Sequence, residues 1–267
     1  MKLFIYKNKG DCDQKAFEII KNQISTKPGS LLGLAVGKTT DGLYRLISKD
    51  AKLNPERWSR LKIFQIDENL GISPESDLSF NKEIRKELKE LFKIVYPKNI
   101  FLIDGTHKPD ITIKNAYKFI YKNKGIDLTI LGLGPEYDPH IAYNTTGTSS
   151  LNSKMRVVDL HPKTILVIAR KGKALTKPRQ RRVKQSHNCE IASELKPLAM
   201  TYRGITLGIK DILKAKKVLL IAYGKEKAKS VKLAFKGKVD TKKASASALK
   251  LHKNLYVVMD KGAGKYL

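Results

Sequence analysis

Short apolar runs alternate with amphipathic stretches along most of this 267-residue chain. The apolar runs have the length and branched composition of single buried strands, and they cover 2–7, 31–36, 57–66, 99–104, 126–131, 164–169, 217–223 and 255–260. Apolar residues at helical spacing lie between them, at 13–24, 42–48, 81–92, 108–122 and 244–250. This alternation predicts an α/β fold with a doubly wound sheet.

The run at 126–131 predicts a buried parallel strand, and the loop after it carries Gly132, Gly134, Asp138 and His140. Open α/β sheets bind their ligands just beyond the carboxyl ends of the strands. A carboxylate and an imidazole two residues apart at that place are candidates for acid–base chemistry. Taken by itself, the same D-x-H pattern is also typical of a turn that holds a hydrogen-bonded histidine.

A second loop, which follows the predicted strand at 31–36, contains Gly37, Lys38, Thr39 and Thr40. Its backbone N–H groups, together with the N-terminus of the next helix, can bind a phosphate. The spacing G-x-x-x-G-K-T over 33–39 is one residue shorter than that of a nucleotide-binding P-loop. We therefore exclude nucleotide hydrolysis and retain phosphate binding.

Two more strand ends carry charged residues. The strand at 57–66 leads into Asp67 and Glu68, and such a pair can act as a general base and a neighbour whose like charge perturbs its pKa. Acidic pairs are also common at helix N-caps and in surface turns. After the strand at 217–223, Lys227 is either a phosphate ligand or an exposed surface lysine.

Composition narrows the class of protein. An apolar content of 41% is ordinary for a globular protein, and the length suits one large domain or two small ones. No apolar stretch has transmembrane length, and the two cysteines, Cys12 and Cys189, form neither a disulfide framework nor a metal motif. We expect a cytoplasmic protein with no membrane association and no metal.

The charge is unusual, with 53 Lys and Arg against 25 Asp and Glu, formally +28. Such a field favours nucleic acid and, equally, small phosphorylated substrates. The one dense basic run is 170–184, which is either a functional contact or a basic surface loop.

Six motifs, in order along the chain, resemble those of a known enzyme superfamily. They are LGLAVGKTTDGLY, RLKIFQIDENLGISPES, IDLTILGLGPEYDPHIAYN, SSLNSKMRVV, GITLGIKDILKAKKVLLIAYGKEKA and SALKLHKNL. Together they are similar to the glucosamine-6-phosphate deaminase/isomerase and 6-phosphogluconolactonase superfamily, over nearly the whole chain except about 163–198. Asn69 stands where the lactonase branch has an arginine, and DEN followed by LGI resembles the deaminase branch more closely.

The resemblance implies a Rossmann-like, mostly parallel sheet with helices on both faces. It implies one domain over 1–267, with a divergent basic lid or insertion at about 163–198. It also implies a phosphorylated sugar as the substrate and no metal or redox cofactor. A homo-oligomer remains open, and nucleic acid is a possible partner that the resemblance does not favour.

Catalytic roles follow from the resemblance by position. Asp67 would be the base that moves a proton between C2 and C1 of the opened sugar, and Glu68 would support it. His140, oriented by Asp138, would help to open the pyranose ring. A carboxylate can remove a proton next to a carbonyl or iminium carbon, and an imidazole can exchange the ring-oxygen proton near neutral pH.

Phosphate binding is carried over in the same way. The backbone around Gly37, Lys38, Thr39 and Thr40, with Lys227, would hold the 6-phosphate. The family lid also supplies an arginine, and the candidates by region are Arg179, Arg181 and Arg182.

Several features depart from the family pattern, among them Val36, which stands where the family has a small polar residue. Thr145 stands five residues after His140, where deaminases carry a glutamate, and Glu136 is an alternative acid in the longer loop at 135–139. Lys38 stands where the family has a second glycine, so a positive φ at this position would strain the backbone.

Three functions follow from these observations. The favoured one is an aldose–ketose isomerase/deaminase that acts on an amino sugar 6-phosphate. The second is a 6-phosphogluconolactonase-like hydrolase. The third is a catalytically impaired homologue that binds phosphosugars or nucleic acid.

Overall fold

The computed structural model describes residues 1–176 and 203–267, with the backbone alone for 170–176. The strands in these ranges are β1 (Lys2–Tyr6), β2 (Leu31–Leu34), β3 (Lys62–Gln65), β4 (Asp67–Asn69), β5 (Ile100–Phe101), β6 (Leu128–Gly132), β7 (Arg156–Asp159), β8 (Arg203–Thr206), β9 (Val218–Ala222) and β10 (Leu255–Asp260). The helices are α1 (Lys9–Thr26), α2 (Asp41–Leu53), α3 (Pro55–Trp58), α4 (Phe80–Glu87), α5 (Lys89–Phe92), α6 (Pro109–Lys122), α7 (Pro162–Thr176), α8 (Ile209–Leu213) and α9 (Ala228–Phe235). None of these helices is long and apolar enough to cross a membrane.

Seven strands form one parallel sheet in the order β1-β10-β9-β6-β2-β3-β5. From β2 the chain builds outward through β3 to β5, and it then returns to add β6 on the other side of β2. The strand order therefore reverses between β2 and β6. In open α/β sheets, the crevice at such a reversal, beyond the carboxyl ends of the strands, is where ligands bind.

Alternate side chains of the sheet enter two separate apolar cores. In β6, Leu131 packs into one core and Ile130 into the other, as the two-residue repeat of a strand requires. Helices α1 and α2 cover the second core, and α6, α8 and α9 cover the first. The prediction of a doubly wound, mostly parallel sheet with helices on both faces is confirmed.

A second sheet of three short antiparallel strands, in the order β4-β8-β7, lies beside the carboxyl end of the first. Thr206 is one of three β8 residues that pair on both sides, with Asp67 on one side and with Arg156 on the other. The sequence patterns treated Asp67 as the end of the preceding strand and did not predict β8. The structure instead places the acidic pair on a strand of its own, set in this small sheet.

The prediction of a strand at 164–169 is wrong, because this run lies in helix α7. A short apolar run does not by itself distinguish a strand from a helix. Here Pro162 occupies the first helical position, which suits a proline. Ile165 and Ile168 pack inward at a spacing of three, whereas Val167 between them is 59% exposed.

Two other predicted elements are shorter than expected. The predicted helix at 81–92 is divided into α4 and α5 at Leu88. The predicted strand at 99–104 forms ladder pairs through Ile100 and Phe101 alone. It ends there because the N–H of Ile103 donates to Oε1 of Gln65, a side chain, at 2.9 Å.

Candidate active site

A cavity of about 470 Å³ lies at the reversal between β2 and β6, within the usual size range of small-molecule sites. Its walls come from the loops that follow these two strands, from β4, and from helices α4 and α7. Six residues predicted from the sequence line it, namely Gly37, Lys38, Thr39, Thr40, Asp67 and His140. The structure thus brings together three segments that are far apart along the chain.

The loop after β2 presents backbone donors to this cavity. In the described part of the chain, the N–H groups of Gly37, Lys38 and Thr39 donate to no protein acceptor. The N–H and Oγ1 of Thr40 both bond to the carbonyl of Gly37, at 2.9 and 3.0 Å, and fix the loop just before α2. Three open N–H groups beside a helix N-terminus form a suitable site for a phosphate.

The expected backbone strain at Lys38 is not found. Gly37 is the residue in the left-handed region, with φ +141°, and Lys38 lies outside it. A glycine adopts this φ without a steric penalty. Gly37 therefore makes the turn, and Lys38, which is exposed, adds a positive charge to the loop.

Lys227 lies behind the cavity wall. Its Nζ donates to the carbonyl oxygen of Leu133, a lining residue, at 2.8 Å. Burial lowers the pKa of Lys227. A phosphate in the cavity would reach this cation only after exchange with the Leu133 carbonyl, so its role as a phosphate ligand stays a prediction.

Asp67 is a buried carboxyl with one oxygen unpartnered. The residue is 4% exposed, and Oδ1 has no hydrogen-bond partner among the residues described. Burial, and after it the charge of Glu68, raises the pKa of Asp67 to about 8. A carboxylate in this state binds a proton strongly, which is the property that a general base in a dry cavity requires.

Glu68, by contrast, is fully occupied by hydrogen bonds. Its two oxygens accept from Nε2 of Gln65, Oγ of Ser79 and the backbone N–H groups of Asn69, Phe80 and Asn81, at 2.8 to 3.1 Å. Burial raises the pKa of Glu68, and the backbone donors oppose that rise. Since Ser79 is the N-cap of α4, Glu68 joins β4 to the first turn of this helix.

Asp138 and His140 form a hydrogen-bonded pair on the loop after β6. Nδ1 of His140 lies 2.8 Å from Oδ2 of Asp138, and the N–H of Thr146 donates to Oδ1 at 2.8 Å. Burial opposes ionisation of Asp138, but the contacts with His140 and Thr146 outweigh it and hold its pKa below the ordinary value. The carboxylate fixes the proton on Nδ1, which leaves Nε2 for proton exchange with a substrate.

Gly134 permits the close turn that carries this pair. Its N–H donates to the carbonyl of His140 at 2.8 Å. A Cβ at Gly134 would lie 2.4 Å from the carbonyl oxygen of Asp138 and 2.6 Å from the N atom of His140. No side chain fits there, whereas Gly132 has room, with the nearest atom of Thr39 at 3.6 Å.

Comparison with known proteins identifies the family. No family model matches the chain. The glucosamine-6-phosphate deaminase of Thermoanaerobacter sp. (strain X514) is 31% identical over 269 residues, which cover 100% of this chain and 95% of the relative. That of Mycoplasmopsis pulmonis is 31% identical over 266 residues, covering 99% and 94%. The chain belongs to the glucosamine-6-phosphate deaminase family.

Solved structures agree with the family fold. A monomeric glucosamine-6-phosphate deaminase superposes with a TM-score of 0.82 at 24% identity and full coverage of both chains. The 6-phosphogluconolactonase of Trypanosoma cruzi superposes with a TM-score of 0.73 at 18% identity, over 100% of this chain and 96% of that one. The expected superfamily is confirmed, and the two sequence relatives named above are deaminases.

Neither Thr145 nor Glu136 supplies an acid to the Asp138–His140 pair. Thr145 occupies the position of the family glutamate, and its N–H donates to the carbonyl of Tyr143 at 2.9 Å. Glu136 does not replace it, because its Oε1 lies 2.7 Å from Nζ of Lys229 and its side chain is 51% exposed. Glu136 is thus held by α9 rather than by the histidine.

Several lining residues were missed in the sequence. Asn69 and Tyr143 are joined by a hydrogen bond of 2.8 Å from the phenol to Oδ1. An apolar wall is formed by Leu78, Phe80, Val167 and Ile168. The HIAYN motif contained the signal for Tyr143, but the apolar wall depends on the packing of α7 against α4, which no local pattern indicates.

Three predicted phosphate ligands, Arg179, Arg181 and Arg182, lie outside the described residues, as does most of the basic run at 170–184. Within the described ranges, no three His, Cys, Asp or Glu side chains cluster as a metal site.

Proposed function

We propose that this chain converts glucosamine 6-phosphate, an amino sugar 6-phosphate, into fructose 6-phosphate and ammonia. The observation that carries the proposal is the unpartnered Oδ1 of Asp67, a residue that lines the same cavity as His140 and the open N–H groups of the loop after β2. The relatives named above, which bear this activity in their names, support it.

The phosphate would bind at the loop of Gly37, Lys38 and Thr39. Its oxygens would accept from the three open N–H groups, and the N-terminus of α2 and the lysine charge would stabilise the anion. This orientation leaves the sugar carbons toward Asp67 and His140. At this end of the cavity, α7 contributes the apolar side chains of Val167 and Ile168 to the wall.

Ring opening is assigned to His140. Nε2 takes the proton of the C1 hydroxyl and returns a proton to the ring oxygen as the C1–O5 bond breaks, which yields the open aldehyde. Asp138 stabilises the transient imidazolium through the 2.8 Å contact with Nδ1.

Proton transfer is assigned to Asp67. Its carboxylate removes the proton from C2 while a proton passes from the substrate ammonium group to O1, which gives a neutral enolamine. The Asp67 carboxyl then returns its proton to C1, which gives the 2-iminium compound. Water adds to C2, and the C2–N bond breaks to leave the ketone and ammonia. The reaction consumes one water, and no electrons are gained or lost.

The pKa of Asp67 suits an amino substrate. A pKa of about 8 leaves the carboxyl largely protonated at neutral pH in the empty cavity. A substrate ammonium group next to it favours the ionised form and lowers that pKa. The cationic amine of the substrate thus generates the base that acts on it.

A lactonase activity is less favoured, because Asn69 stands where lactonases have an arginine. Its Nδ2 donates to the carbonyl of Leu78 at 2.9 Å, and its Oδ1 accepts from Tyr143. The site therefore has a neutral, occupied amide in place of that cation.

The test is a paired assay of ammonia and ketose with glucosamine 6-phosphate, run beside galactosamine 6-phosphate and 6-phosphogluconolactone. We expect ammonia and fructose 6-phosphate in equal amounts. Asp67→Asn should lower kcat by about 10³-fold, with Kd for a non-reactive 6-phosphate analogue changed little. Lactone hydrolysis alone would establish the second function, and no turnover by folded protein would favour a binding protein.

A further inference from the structure

The tip of the loop between Gly134 and His140 is anchored on two sides. Glu136 forms an ion pair with Lys229 on α9. The next residue, Tyr137, is directed to a different element and packs against the beginning of α7. The loop itself is closed by the N–H of Gly134 on the carbonyl of His140.

The Tyr137 contact involves the two residues that flank the first proline of α7. Its ring centroid lies 5.0 Å from that of His161, with the planes tilted by 39°. Nζ of Lys163 lies 4.4 Å from the same ring centroid, in cation–π geometry. His161 is itself fixed to the helix, because the N–H of Lys163 donates to its Nδ1 at 3.1 Å.

The residues on each side of this contact are close in sequence to residues of the site. Tyr137 precedes Asp138, which holds Nδ1 of His140. On the other side, His161 precedes α7, whose Thr164, Val167 and Ile168 line the cavity. A displacement at the start of α7 therefore reaches the Asp138–His140 pair through one aromatic contact.

We propose that Tyr137 is a positioning residue that couples the start of α7 to the Asp138–His140 pair. The coupling depends on the ring rather than on the hydroxyl, since the phenol oxygen makes no hydrogen bond within the described ranges. The position of α7 at the cavity wall and the orientation of the histidine are then linked. The kinetic consequence rests on the proposed function, whereas the structural coupling does not.

The structural arm of the test is amide hydrogen exchange on the full chain. We compare Tyr137→Ala, Tyr137→Phe and, as a matched control, Tyr121→Ala, since Tyr121 is 88% exposed and lies outside the cavity lining. Tyr137→Ala should speed exchange in both 134–140 and 161–169 by about 5- to 20-fold. Tyr137→Phe and Tyr121→Ala should match the wild type. Faster exchange confined to 134–140, or equal effects of the alanine and phenylalanine variants, would overturn the coupling.

The kinetic arm uses the same variants with glucosamine 6-phosphate. Tyr137→Ala should lower kcat by about 5- to 20-fold, more than it changes KM, and Tyr137→Phe should restore kcat. An unchanged kcat in Tyr137→Ala contradicts the positioning role. If the wild type turns over no substrate, the proposed function fails, and the exchange result alone decides whether Tyr137 couples the two segments.

Discussion

Asp138 holds His140 by one carboxylate oxygen and the N–H of Thr146 by the other, each at 2.8 Å. Through Asp138, the histidine is therefore fixed to the backbone of Thr146, which lies eight residues after Asp138. This arrangement sets both the tautomer and the direction of the ring.

Asp138→Asn tests this relationship. The amide cannot stabilise an imidazolium, so we expect kcat for glucosamine 6-phosphate to fall by about 10²-fold, with KM altered much less. Asp104→Asn is the matched control, because Asp104 also faces a histidine, His107 at 3.5 Å, but lies outside the cavity lining with its side chain 27% exposed. Equal kinetics in Asp138→Asn and wild type would exclude an orienting role.

The pH dependence of catalysis should reveal Asp67. A base with a pKa of about 8 in the empty cavity is activated as the pH rises, so kcat/KM should increase up to about pH 8. The bound ammonium lowers that pKa, and the rise in kcat should therefore occur at lower pH. Steady-state kinetics between pH 6 and 9 measure the pH profiles of both kcat and kcat/KM. A kcat/KM that does not change with pH would contradict Asp67 as the base.

The same raised pKa has a consequence for stability. Between pH 3.8 and about 8, the folded state holds a proton on Asp67 that the unfolded state has lost, so Asp67 reduces stability as the pH rises through this window. Asp67→Asn removes the effect. Its Tm should exceed that of the wild type by several degrees at pH 8.5, since 1 kcal/mol corresponds to about 2–4 °C in a domain of this size.

At pH 4.5 most of the Tm difference between Asp67→Asn and wild type should disappear, because both carry a neutral side chain in the native state. Differential scanning calorimetry at the two pH values checks this. A difference that does not change with pH would place its origin in packing rather than in ionisation.

Gly134→Ala should damage the site, because its Cβ would lie within 2.4–2.6 Å of two backbone atoms of the loop. We expect loss of more than about 10-fold in kcat/KM and lower stability, since these atoms cannot move without shifting His140. Gly132→Ala is the control at the end of β6, just before this loop, since its Cβ would lie 3.6 Å from the nearest atom of Thr39. Similar behaviour of the two variants in kinetics and thermal melting would contradict the steric argument.

Thr145→Glu restores the acid found in the family pattern. If the missing acid limits ring opening, kcat should rise by about 3-fold or more. Thr148→Glu introduces the same charge at an exposed position three residues away and should leave kcat unchanged. An unchanged kcat in Thr145→Glu would mean that another group has taken the part of this acid, or that ring opening is not the slow step.

The sequence indicated much of this arrangement because the carboxyl ends of parallel strands meet at one edge of a sheet. Asp67 and His140 each follow an apolar strand pattern, and the structure has both lining one cavity; their roles remain predictions. The hydrogen bonds that Glu68 accepts were not predictable from the sequence. Their donors at Ser79, Phe80 and Asn81 reach Glu68 only because of where α4 begins in space.

Helix α7 illustrates a different limit. Its residues 164–169 have a strand-like composition, and the tertiary contacts of Ile165 and Ile168 with Tyr143 and Phe80 select the helix. Strand β8 was missed because its pairing with β4 is long-range and its four residues include a glycine.

The order of strands in the main sheet also governs when the cavity can exist during synthesis. The loop after β2 acquires its opposite wall only when β6 pairs with it, as in Leu32 opposite Leu128. Asp67 is fixed later still, when Thr206 of β8 arrives beside it. A growing chain emerges in sequence order, so a nascent chain that ends before residue 203 contains every residue that lines the cavity but lacks the strand that pairs with Asp67.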